Sequence, residues 1–106
     1  MPDADYIRGF RDNDDRVIGQ FYKKHRQAFF AFFKRTYSKD DAYIAELFQD
    51  SCIKLWRNVQ DGKLTEQMLE STLATYLFSI GKYTMMSKDR KTGKHYEYQD
   101  AAGGAD

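Results

Sequence analysis

The chain is poor in the residues that interrupt helices and in those that cross-link or react. Among its 106 residues there is one proline, at position 2, so no interior segment is barred from helix. There is one cysteine, Cys52, which excludes an intramolecular disulfide framework and fits a reducing compartment. The opening Met-Pro-Asp-Ala-Asp lacks the basic start and apolar core of a secretory signal. No run approaches about 18 consecutive apolar residues, so no bilayer span is expected, and the protein is expected in the cytoplasm. Phosphate-binding glycine loops, paired catalytic carboxylates and nucleophile motifs are also missing. His25 and His95 lack metal-ligand spacing to Cys52. No enzyme activity, metal or cofactor is therefore expected.

What remains is aromatic and charged in defined places. Aromatic residues make up 16% of the chain, too many for a disordered segment. With a length of 106 residues, they suit one small domain with a single core. The net charge of +1 hides segregation: residues 40–50 hold Asp40, Asp41, Glu46 and Asp50 and no base. Residues 82–94 hold Lys82, Lys88, Arg90, Lys91 and Lys94 against the one acid Asp89. A nearly neutral chain binds duplex DNA weakly as a whole, yet such a block can contact a few phosphates.

The periodicity predicts an all-α protein: a compact bundle of three long helices plus a short N-terminal one. The short helix is expected near Ala4–Arg11, with Tyr6, Ile7 and Phe10 on one side. Asp12-Asn13-Asp14-Asp15 breaks it and caps a second helix near Asp14–Thr36. That helix carries the stripe Val17/Ile18, Phe21, His25, Ala28/Phe29, Phe32, widened by Phe30 and Phe33. A third helix is expected near Asp40–Gln60, started by Ser38 or Asp40 as N-cap and ended by Asp61-Gly62. A fourth is expected near Ser71–Arg90, with Leu73, Leu77, Ile80 and Thr84 inward. Residues 63–70 connect the last two, with Thr65 able to cap a short extra turn. Residues 1–92 form the expected domain, and 93–106 a flexible tail or the start of a linker.

The third helix has two faces. Ile44, Leu47, Phe48, Ser51 and Leu55 recur at steps of three and four and point one way; Glu46, Gln49, Asp50 and Ile53 point the other. An acidic, amidic face containing an isoleucine and ending in Trp56 suits docking on another protein. In the fourth helix, Tyr76 and Tyr83 interleave with the bases that follow Lys82. Single strands are bound in this way, because bases stack on rings for about 1–3 kcal/mol each while cations follow the backbone.

Both segments resemble the sigma-70-type transcription initiation factors, most closely the short extracytoplasmic-function group. Glu46-Leu47-Phe48-Gln49-Asp50 is similar to that family's Asp-Leu-Val-Gln-Glu, and Ile53-Lys54-Leu55-Trp56 to the end of the same helix. Leu77 and Ile80 match the family's next helix, and Tyr76 stands for its tryptophan. Lys82 stands for an arginine and Tyr83 for an asparagine. The resemblance covers about residues 5–91 and implies the core helical domain of such a factor, its region 2. It implies docking on the coiled-coil clamp helices of the polymerase beta-prime subunit through Glu46, Gln49, Asp50, Ile53 and Trp56. It implies contact with the non-template strand of the promoter minus-ten element through Tyr76, Lys82, Tyr83, Lys88, Arg90 and Lys91. An anti-sigma partner is a further possibility of such factors. Departures at Ala74, Ser79 and Tyr83 leave the promoter preference open. The family's second, helix-turn-helix domain would lie beyond residue 106, and the sequence is expected to be a fragment or a shortened member.

A partner is also expected on energetic grounds. Opening about ten base pairs costs roughly 14 kcal/mol at about 1.4 per stacking step. Two or three captured bases return about 2–9 kcal/mol. The rival expectations are a helical protein-interaction module without DNA contact and a small helical RNA binder.

Overall fold

A computed structural model describes residues 1–91. Four helices follow one another: α1 (Asp3–Arg11), α2 (Asp15–Tyr37), α3 (Asp41–Gln60) and α4 (Leu73–Lys91). No strand occurs among the described residues. The expected tail, 93–106, lies outside them, and Lys94 and His95 with it.

Each boundary has a local cause. Asp3 and Asp5 lie in the first turn of α1 and Arg8 and Arg11 in its last, each favourable to the helix dipole. The side chain of Asp14 accepts hydrogen bonds from the backbone N–H groups of Arg16 and Val17, which caps α2. Asn13 takes a left-handed φ of 54° to turn the corner before it. Ser38, at φ 56°, ends α2 in the same conformation. Asp40 starts α3 by accepting from the Tyr43 N–H at 2.8 Å. Gly62, at φ 77°, follows the end of α3.

The fourth helix begins two residues later than its periodicity suggests. Its cap is Thr72, whose Oγ1 accepts from the Thr75 N–H. A second donor, the N–H of Leu73, goes to Asp3 Oδ2 at 2.9 Å. The N-terminal helix thus supplies part of the cap of the last one. Residues 63–72 form turns with no helix, and the Thr65 carbonyl accepts from the Met68 N–H in one of them.

The core lies where α3 packs against α1, α2 and α4. Ile44, Leu47, Ser51 and Leu55 are fully buried and Phe48 nearly so, as the stripe of α3 predicts. In α2 the buried line is Phe21, His25, Phe29 and Phe33. Ala28 is exposed and Phe32 half-buried, so the helix is rotated toward Phe33 relative to the expected stripe. On α4, the Phe78 ring meets Phe29, Phe32 and Phe33, with centroids 5.6, 5.2 and 6.4 Å away. One turn later, Gly81 gives these rings room, since a Cβ there would lie 2.9 Å from both Phe29 and Phe33. Each fully buried Leu, Ile or Phe contributes about 1.5–3 kcal/mol of transfer free energy.

Candidate functional site

The outer face of α3 is built as its sequence requires. With Ile44, Leu47, Phe48, Ser51 and Leu55 inside, the 3.6-residue period turns Glu46, Gln49 and Ile53 outward. Glu46 and Gln49 are exposed; Asp50 and Ile53 are half-buried. The two ends of this face lean different ways. Trp56 packs partly against the core, and its indole N–H donates to Asn13 Oδ1 at 2.7 Å, tying α3 to the α1–α2 corner. On the opposite flank Asp50 leans toward α4.

Helix α4 runs antiparallel beside α3. Near its C-terminal end, Lys88 Nζ lies 3.1 Å from Glu46 Oε2 and 3.3 Å from Asp50 Oδ2. Partial burial works against the charge of Lys88, but the hydrogen bonds and charges of these two carboxylates outweigh it and raise its pKa. Lys88, expected as a phosphate contact, is therefore held by two residues expected as protein contacts. The next residue, Asp89, is buried. It accepts from Lys39 Nζ at 2.9 Å and from the Tyr43 hydroxyl at 2.7 Å. Burial and this carboxylate push the Tyr43 phenol well above its usual range.

Further along the seam, Lys54 Nζ donates to Thr84 Oγ1 at 3.1 Å. Beyond it a cleft of about 360 Å³ opens between the helices. Lys54, Arg57 and Asn58 line it from α3, Asp61 and Lys63 from the turn that follows, and Ile80, Tyr83 and Thr84 from α4. Three bases against one acid make the cleft cationic. Tyr83 stands at its rim, 74% exposed, as stacking would require. Lys82, Arg90 and Lys91 are exposed as well. Tyr76 differs: it is half-buried against the core, and its hydroxyl accepts from Asn58 Nδ2 at 3.1 Å.

The fold thus places Tyr83 at the cleft and the Tyr76 hydroxyl on Asn58, one of the lining residues, and it brings Lys88 to Glu46 and Asp50 at one contact. Lys54, Arg57, Asn58 and Lys63 join the cleft without having been singled out in the sequence. The signal for the first three was present, because residues 50, 54, 57, 58 and 61 fall on one helical face that continues from Asp50. Lys63 is brought there by the turn after Gly62, which no period announces.

Two buried groups stand apart from both faces. Burial pushes the Cys52 thiol up to about 12, so it carries no thiolate near neutral pH. His25 is boxed by the rings of Tyr6 and Phe21, and its Nε2 has no hydrogen-bond partner. Burial and the neighbouring charge of Lys24 lower its pKa. Among the described residues no group of three or more His, Cys, Asp or Glu could hold a metal ion. No described helix is long and apolar enough to cross a membrane.

No protein-family model, curated protein or solved structure matches this chain.

Proposed function

We propose that this domain is a transcription initiation module of the sigma region 2 kind, docking on core RNA polymerase and holding the unpaired non-template strand of a promoter minus-ten element. It works as a binding subunit in the cytoplasm and not as a catalyst. The observation that carries this is the adjacency of two unlike edges on one antiparallel helix pair. The outer face of α3 offers Glu46, Gln49 and Ile53 to a basic protein partner. The neighbouring cleft offers Tyr83 as a stacking platform, with Lys54, Arg57 and Lys63 as cations for a backbone.

The test uses two variants against two partners. Glu46→Arg is expected to abolish binding to the beta-prime clamp helices and to leave melting nearly unchanged. Tyr83→Ala is expected to weaken a minus-ten single strand by about 1–3 kcal/mol in fluorescence anisotropy. Single-strand binding indifferent to Tyr83, to Lys82 and to the cleft bases would overturn the nucleic-acid half.

One observation favours a second reading, a protein-interaction module without DNA contact. Lys88 and the Tyr76 hydroxyl are already engaged within the chain, which leaves the strand-binding face with fewer open groups. In that case the clamp-helix titration would succeed and the oligonucleotide titration would fail.

A further inference from the structure

Between Arg16 and Arg35 the chain carries six bases (Arg16, Lys23, Lys24, Arg26, Lys34 and Arg35) and no acid. All six lie on α2 and all are exposed. The segregation is also geometric. At 3.6 residues per turn, Lys34 lies five turns beyond Arg16 on the same line, roughly 27 Å away, and Lys23 is within about 20° of it. The exposed amides Gln20 and Gln27 fall along the same row. The opposite side of α2, with Phe21, Phe29 and Phe33, is sealed in the core.

Intramolecular partners leave most of this charge available. Arg16, Lys23 and Arg35 enter no ion pair among the described residues. Lys34 meets Asp41 at 2.7 Å, with both side chains more than half exposed. Such a pair is worth at most about 1 kcal/mol and exchanges readily for another anion. Lys24 lies over the Tyr6 ring and Arg26 over the Phe30 ring, contacts that leave both charges exposed.

We infer that the outer face of α2 binds the phosphate backbone of duplex DNA, through the row Arg16, Lys23 and Lys34 with Gln20 and Gln27 between them. A straight cationic row with amide donors and no apolar anchor matches a regular line of phosphates. A membrane surface fits less well. An interfacial helix inserts its apolar side, and here that side is occupied; the exposed large hydrophobics Met1, Met68 and Tyr83 all lie off α2. A protein partner would find no exposed aromatic or aliphatic anchor here, since the one ring on this side, Phe30, is half-buried beneath Arg26. This surface is separate from the α3–α4 cleft and does not depend on the function proposed for it.

The experiment is anisotropy of a labelled 24-base-pair duplex of mixed sequence, titrated with the whole chain between 50 and 200 mM salt. Three phosphate contacts predict a log–log slope of about −2.7, or roughly a 40-fold loss of affinity over that range. Arg16→Gln/Lys23→Gln/Lys34→Gln is expected to weaken duplex binding at least tenfold at 50 mM and to flatten the slope. Its circular dichroism and melting should stay close to the parent's, because the three side chains are exposed. The same triple variant is expected to bind a minus-ten single strand as the parent does, which separates this face from the one that would hold a single strand. Parental duplex binding by the triple variant would overturn the inference. So would capture of the chain by vesicles containing phosphatidylglycerol without any affinity for the duplex.

Discussion

Lys88 sits between Glu46 and Asp50, 3.1 Å from one carboxylate and 3.3 Å from the other, so one ammonium on α4 serves two acids on the outward side of α3. Both acids remain substantially in water, which limits the contribution of the contact to folding. Lys88→Gln is expected to lower stability by less than about 1 kcal/mol in urea denaturation. It should also leave Glu46 and Asp50 open to an incoming cation. Titration of the clamp helices is expected to show tighter binding to this variant, and unchanged affinity would show that Lys88 does not compete for the two acids.

The neighbouring residue behaves oppositely. The Asp89 and Lys39 side chains are 3% and 11% exposed, and the Tyr43 hydroxyl joins the cluster. Asp89→Ala leaves a largely buried cation without this partner and is expected to cost about 3–5 kcal/mol in urea denaturation. Lys39→Met combined with Asp89→Leu removes both charges and is expected to recover most of that loss.

His25 gives the fold an acid sensitivity. Its folded pKa lies below the ordinary 6.5, so the unfolded chain binds the extra proton more readily. Its share of stability is therefore complete above about pH 7. It declines as pH falls through 6.5 toward the lower folded value. Chemical denaturation from pH 8 to pH 5 is expected to show this slope in the parent, and His25→Phe is expected to flatten it. An unchanged slope in the variant would place the proton uptake on another group.

Gly81 tests the packing of α4 on the aromatic cluster. An added methyl would need the Phe29 and Phe33 rings, both fully buried, to give way. Overpacking of this kind costs about 1–3 kcal/mol. Gly81→Ala is therefore expected to lower the melting temperature, although alanine is the better helix former. A rise would mean that the rings move aside at little cost.

The helices were legible in the sequence because their causes are local. The run Asp12-Asn13-Asp14-Asp15 announces the cap of α2, Ser38 or Asp40 that of α3, and the stripe of α3 announces its own buried side. Tyr83 was legible as exposed, since the period of α4 turns it away from Leu77 and Thr84. What escaped is contact between residues far apart in the chain. Nothing near Glu66 foretells that it pairs with Arg11 at 3.0 Å and anchors the turns after α3 to α1. Asp89 reads as a lone acid in a basic block, and only the approach of the α2–α3 junction makes it an interior group. Lys88 looks available in one dimension and is engaged in three. The rotation of α2 toward Phe33 sets Phe29 and Phe33 against Gly81, a packing that depends on how α4 crosses the bundle.

The Asp89 cluster bears on how the bundle comes apart. Terminal turns are ordinarily the first to fray. Here the closing turn of α4 is fastened to the α2–α3 elbow by a carboxylate shielded from water. Unzipping is then expected to begin at residues 63–72, where turns replace helix and only Leu64 is buried. Amide exchange should be fastest in that stretch and slower at Asp89, an inversion of the usual gradient from middle to end.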